Sequence, residues 1–135
     1  MFVFLGGTCN NSRWRDKIIP LLTVGWYNPM KENWTQEMYE TEVRLRGLAG
    51  IVLYTITPKM TGVYSVAEVV SDSHVQPEAT VLCILTDDDG EKFDDFRYRS
   101  LIASAAIVTR NGGALFFSLE SAAQFINGLE EKFNG

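Results

Sequence analysis

The chain reads as an α/β protein, a flavodoxin/Rossmann-like three-layer sandwich around a five-stranded parallel sheet. Three observations predict it. Short apolar runs alternate along the chain with segments whose apolar residues recur at helical spacing, as expected of strands alternating with covering helices. The run Ile51–Ile56 is apolar and rich in β-branched residues, so it reads as a strand buried on both faces. Two of the runs lead directly into glycine-containing loops that open a helical pattern, which is half of a βαβ unit.

The elements follow in order. Residues 2–5 form a short apolar strand that runs into Gly6-Gly7-Thr8-Cys9-Asn10-Asn11-Ser12. Ser12 precedes the helical positions Trp14, Ile18, Leu21 and Leu22, which places it as an N-cap. Residues 24–27 are a second strand, closed by Asn28-Pro29. A helix over 35–49 has Met38, Val43, Leu45 and Leu48 among its apolar positions. After the third strand, 51–56, a loop holds Pro58 and Gly62, and Val63, Val66, Ala67 and Val70 then recur at helical spacing. Ser65, Glu68 and Asp72 fall on the other side of that helix.

Residues 80–85 make a fourth strand that enters the acidic turn 86–90. An apolar helical pattern over 101–108 begins as early as Phe93, and 114–117 is the fifth strand. Ser118 or Ser121 caps a last helix carrying Ala122, Phe125, Ile126, Leu129 and Phe133. Right-handed crossovers and the order 2-1-3-4-5 put strands 1 and 3 side by side at the switch point. That order brings the loop 6–12 and the segment 57–68 to one crevice at the carboxyl ends of the strands. The whole chain, 1–135, reads as one domain without repeat or linker.

Composition narrows the classes of function. Apolar residues make up 46% and charged residues 21%, an ordinary globular balance with enough apolar material for a core. The net charge of −5 comes without a basic cluster, which argues against duplex nucleic acid as partner but not against a single nucleotide. No apolar run approaches membrane-spanning length and no leader is read before the first strand, so the expectation is a cytoplasmic protein without membrane contact. Two cysteines, Cys9 and Cys83, make no disulfide framework, and with one distant histidine they make no zinc site. Asp87-Asp88-Asp89-Gly90 lacks the spaced ligands of a calcium loop and reads as a solvated turn. No metal or organic cofactor is expected, and His74 receives no catalytic role.

The candidate site lies at the proposed crevice. The glycine-rich turn with Gly6, Gly7, Thr8 and Asn10 lets main-chain N–H groups approach an anion or polar ligand; its spacing is that of neither a dinucleotide-binding fingerprint nor a Walker A loop. Glu68 sits within two turns of a helix that opens at such a loop, where the positive helix end favours ionisation. An ionised carboxylate there is a candidate nucleophile or base, or a solvated surface glutamate. Asp72, one turn beyond, raises the Glu68 pKa by like-charge repulsion or is simply exposed. Tyr64 and Ser65 hydrogen-bond a polar ligand or orient Glu68, Tyr64 being otherwise a packing aromatic. Trp14 stacks on a planar ligand or packs in the core. Arg15 meets a phosphate bidentately or is an exposed helix charge, and Asn28 shapes the turn before Pro29 or reaches ligand.

Together these pieces resemble the nucleoside 2-deoxyribosyltransferase-like family. The resemblance is carried by VFLGGT, Trp14-Arg15, Tyr27-Asn28-Pro29 and TGVYSVAE around Glu68, over roughly residues 2–85. It implies cleavage or exchange of the N-glycosidic bond of a 2-deoxynucleoside or its 5′-monophosphate, with Glu68 attacking the anomeric carbon. Family members carry acids just before the third strand and shortly before the glutamate, where this chain has Gly50 and Thr61-Gly62. Either Asp16 or Asp72 substitutes for them, or the crevice binds a nucleotide or nucleotide-derived signal without cleaving it. The resemblance also implies a homodimer or higher homo-oligomer in which a neighbouring chain closes the pocket. Trp26, Tyr27, Met30 and Trp34 offer an aromatic patch for that contact.

Overall fold

The computed structural model describes residues 1–29 and 35–134, except for the side chains of residues 130, 133 and 134. Met30 and Trp34 of the expected aromatic patch, and the Phe133 side chain, lie outside the described residues. The elements are β1 (Phe2–Gly7), α1 (Trp14–Ile18), β2 (Gly25–Tyr27), α2 (Gln36–Leu48), β3 (Ile51–Ile56) and α3 (Tyr64–Val75). They continue with β4 (Thr80–Ile84), β5 (Asp87–Asp88), β6 (Glu91–Lys92), α4 (Asp95–Arg110), β7 (Ala114–Phe116) and α5 (Leu119–Asn134).

Five strands form one parallel sheet in the order β2-β1-β3-β4-β7. Counting only those strands along the chain, this is the expected 2-1-3-4-5. All six residues of β3 and all five of β4 are buried, because helices cover both faces, and this is why their sequences are mostly apolar, with Thr55 and Thr80 buried among them. On one face Val3, Leu5, Leu53, Val81 and Cys83 pack against Trp14 and Ile18 of α1 and Ala122, Ala123 and Ile126 of α5. On the other, Phe4, Val52, Tyr54, Leu82 and Ile84 pack against Val69 of α3 and Leu101, Ala105 and Val108 of α4. Each large apolar side chain so buried contributes about 1.5–3 kcal/mol. No described helix is long and apolar enough to cross a membrane.

Four local expectations are corrected. Ser12 caps nothing: α1 starts at Trp14, and the Ser12 hydroxyl donates instead to Asp88 Oδ2 at 2.5 Å. The acidic turn is not wholly solvated. It folds into the hairpin β5–β6, with Asp88 only 4% exposed and held by Ser12. In α3 the face with Asp72 and Ser73 is buried beside Val69, whereas Val63 and Ala67 are exposed. The inward polar groups are tolerated because each has partners: Asp72 accepts from Tyr54, and Ser73 donates to the Val70 carbonyl. Finally, α2 buries none of its described side chains fully, and Val43 and Leu48 are exposed. Its apolar positions therefore do not lie against the sheet as a stripe. At the other end of the chain Ser118 is the capping serine, accepting from the Ser121 N–H at 3.2 Å.

Candidate functional site

The crevice opens where β2 stops. β1 and β2 pair only as far as Phe4↔Tyr27, whereas β1 and β3 pair on to Gly7↔Thr55. Among the described residues the carboxyl end of β1 is thus flanked by a strand on one side only, at the place where the chain reverses its winding. Gly7 has φ +119°, and a Cβ there would collide with the Thr55 carbonyl, so only glycine allows the two strands to end this close. The chain then turns through Asn10 and Asn11, both with positive φ. The Asn10 side-chain amide donates to the Lys59 carbonyl at 3.0 Å and to the Thr61 hydroxyl at 2.7 Å. Thr8 Oγ1 accepts from the Thr57 N–H at 3.0 Å. The loops after β1 and β3 are thereby tied into one rim, and Lys59 extends the tie to the β5–β6 hairpin through Asp89 at 2.7 Å.

Two adjoining cavities lie inside that rim. One, of about 350 Å³, is bounded by Gly6, Gly7, Cys9, Arg15, Pro29, Glu42, Tyr64, Ser65 and Glu68. The other, of about 280 Å³, is bounded by Thr8, Asn10, Thr61 and Gly62, and shares Gly7, Cys9, Tyr64 and Ser65 with the first. Volumes of this order suit one small molecule. A larger hollow of about 740 Å³ runs between α3 and α4, but its lining is mostly apolar, with Arg97 as its one charged side chain among the described residues. The carboxylates Glu42 and Glu68 line the cavity of about 350 Å³ instead.

Glu68 is half-buried, its side chain 17% exposed. Its Oε2 accepts from Arg46 Nη1 at 2.7 Å. Arg46 reaches on to Asp72 Oδ1 at 3.4 Å, and the Tyr54 hydroxyl donates to Asp72 Oδ2 at 2.6 Å. The Glu68 carboxyl pKa is raised on balance, above its ordinary value, whatever the helix end contributes toward ionisation. Burial is the largest cause, and Asp72 and Glu42 add repulsion, against the lowering by Arg46. The expected push from Asp72 is therefore present but secondary. Burial likewise drives the Tyr54 phenol up, so it stays a neutral donor to Asp72.

Arg15 is buried, 4% exposed, and each nitrogen of its guanidinium donates once to the main chain. Nε donates to the Leu5 carbonyl at 3.0 Å, Nη1 to Thr8 at 2.9 Å and Nη2 to Gly7 at 3.4 Å. Its guanidinium lies 4.4 Å from the centre of the Trp14 ring, and the Trp14 indole also donates to the Thr8 carbonyl, at 2.8 Å. Trp14 itself is in the core, 1% exposed. Of the other expected site residues, Asp16 is exposed beside Arg13 at 4.0 Å and does not border the cavities. Asn28 adjoins Pro29, which does, and Asp72 stands behind Glu68. Gly50 precedes β3, at the amino end of the sheet and away from the crevice, so its lack of a carboxylate leaves no gap in the site.

Sequence reasoning missed Glu42 and Arg46. They sit one helical turn apart on α2, and the spacing i, i+4 puts them on one face. That spacing was readable; which way the face points was not. Among the described residues, no three His, Cys, Asp or Glu side chains group as metal ligands. No family model, no curated protein and no solved structure matches the chain.

Proposed function

We propose that the crevice cleaves or exchanges the N-glycosidic bond of a 2-deoxynucleoside or its 5′-monophosphate. The observation that carries this reading is a single cavity bordered by two carboxylates from different helices, Glu42 and Glu68, and by the glycine-rich loop after β1. The resemblance to the nucleoside 2-deoxyribosyltransferase-like family supports it. Glu68 attacks the anomeric carbon, forming a C–O bond as the C–N bond to the base breaks. The departing base takes a proton from the Glu42 carboxyl, the role for which Asp16 and Asp72 are poorly placed. Water or a second base then displaces Glu68, returning a proton to Glu42. This is double displacement through an oxocarbenium-like transition state.

The protein is incubated with the common 2-deoxynucleosides and their 5′-monophosphates, and free base is followed by chromatography. Release by the wild type and none by Glu68→Gln is the expected result; equal release by the variant removes Glu68 from the mechanism. The close pairing of Glu68 with Arg46 favours one other reading, a module that binds a nucleotide intact. Ligand recovered unchanged after long incubation, with a clear calorimetric signal, selects it. We further propose a cytoplasmic homodimer. The exposure of Trp26, 47%, supports the aromatic contact; Tyr27 is half-buried and stacked on Phe4.

A further inference from the structure

We propose that Arg46 is a positioning residue for Glu68: its guanidinium, braced by Asp72 and Tyr54, holds the Glu68 carboxylate in one orientation at the cavity wall. The inference rests on the reading of Glu68 as nucleophile and extends it to a residue outside the family resemblance.

The bracing runs inward to the sheet. Tyr54 is fully buried in β3, and its ring occupies the space that a side chain on Gly6 would take, a Cβ there lying 2.8 Å from the ring. The rigid ring aims its hydroxyl at Asp72 Oδ2, 2.6 Å away. The other Asp72 oxygen receives Arg46 Nη2 at 3.4 Å, and Arg46 Nη1 reaches Glu68 Oε2 at 2.7 Å. A guanidinium is planar, so fixing one Nη sets the direction of the other. The result is a chain from β3 through α3 and α2 to one oxygen of Glu68. Among the described residues the second oxygen, Oε1, accepts no hydrogen bond, which leaves it as the attacking atom. A lysine at position 46 would supply the charge without the fork.

The groups facing Glu68 give the chain an electrostatic signature. Arg46 and Glu42 face it from α2, Asp72 and Tyr64 from α3, and Tyr54 from β3, with Arg15 and Cys9 across the cavity. Burial, Asp72 and Glu42 favour the protonated carboxyl; Arg46 favours the carboxylate. Removing Arg46 must raise the pH at which Glu68 loses its proton. Neutralising Asp72 must lower it, although the two groups are neighbours.

Full-length protein carrying ¹³C-carboxyl glutamate is titrated by NMR as wild type, Arg46→Met, Arg46→Lys and Asp72→Asn, the Glu68 signal being assigned with Glu68→Gln. The Glu68 midpoint is expected to rise in Arg46→Met, to stay near wild type in Arg46→Lys, and to fall in Asp72→Asn. Base release by Arg46→Lys is expected to drop in kcat by about 10- to 100-fold with KM within about twofold, as for a misaligned reacting group. A midpoint that does not move in Arg46→Met, or that moves the same way in Arg46→Met and Asp72→Asn, overturns the proposal. If Arg46→Met does not fold, Arg46→Lys decides instead: a kcat within about twofold of wild type overturns the proposal. The titration needs no turnover, so a wild type that releases no base refutes the glycosidic reading while the midpoints still decide whether Arg46 holds Glu68.

Discussion

Replacing Arg15 by methionine separates a structural cation from a phosphate receptor. Carrying the β1–β2 register one step past Phe4↔Tyr27, the Leu5 carbonyl would accept from residue 29. That residue is proline and has no N–H to give. Arg15 supplies the missing donors to Leu5 and Gly7 and shares Thr8 with Trp14. Arg15→Met therefore strands the buried Leu5 carbonyl, at about 1–3 kcal/mol. It also takes charge-assisted bonds worth about 1.5–3 kcal/mol from Thr8, which keeps Trp14, and from the half-buried Gly7 carbonyl, which keeps the Cys9 thiol at 3.7 Å. The gain from no longer burying a guanidinium, whose pKa burial already lowers despite Cys9 and Glu42, offsets part of this. A net loss of about 2–4 kcal/mol is expected. With an unfolding entropy of about 2.1 cal/mol/K per residue over 135 residues, this corresponds to a fall in Tm of roughly 7–14 °C. Calorimetric melting and urea titration measure it. A variant that melts within about 2 °C of wild type, yet loses binding of nucleoside monophosphates while keeping that of nucleosides, would refute the structural assignment and make Arg15 the phosphate group's partner.

The ion pair that ties the hairpin to the crevice predicts a pH window. The bond from Lys59 is the largest cause lowering the Asp89 pKa, and the bond to Asp89 is the largest raising that of Lys59. A depressed carboxyl stabilises the fold above its unfolded pKa of about 3.9 and loses that contribution as pH falls through the lower folded value. A raised ammonium stabilises below its unfolded pKa of about 10.4 and loses that contribution as pH rises through the folded value. The difference in urea midpoint between wild type and Lys59→Met should therefore be flat from about pH 5 to 9 and shrink at both ends; a difference that grows toward low pH would show the pair has no part in it. For assembly, light scattering at micromolar concentration is expected to give at least twice the 15.2 kDa chain mass. A monomer with full ligand binding would show that the partner is unnecessary.

The sheet was legible in the sequence, and the reason is local. A strand buried on both faces is built mostly of apolar residues, so Ile51–Ile56 and Thr80–Ile84 stand out without any knowledge of their neighbours. The hairpin Asp87–Lys92 was not legible. Its two strands have two residues each, too short to show alternation, and what buries Asp88 is Ser12, 76 positions earlier. The orientation of α3 was read only in part, for the same kind of reason. Of the four apolar residues that suggested the inner face, Val66 and Val70 do pack against the core, but Asp72 also turns inward because Tyr54 and Arg46 come from other elements to meet it. Charge on a helix predicts a solvated face only when no partner is waiting under it. Glu42 and Arg46 escaped because α2 carries no apolar stripe that would have oriented it.

The cavity and the buried arginine have one cause. Had β2 continued beside β1 past Tyr27, main-chain donors would have filled the space where Glu42, Arg15 and Glu68 now converge. Pro29 removes the next donor and borders the cavity. The unpaired carbonyls of β1 then require donors that are not a strand, and a guanidinium on α1 can serve Leu5, Gly7 and Thr8 at once. Arg15 thus lets the edge of β1 border an open cavity without leaving its carbonyls unmet. With Arg15 committed to β1 and Arg46 to Glu68 and Asp72, the two cations perform separate tasks. One keeps the crevice open and the other holds the carboxylate at its wall. The two substitutions should therefore separate in assay, Arg15→Met acting chiefly on stability and Arg46→Lys chiefly on turnover.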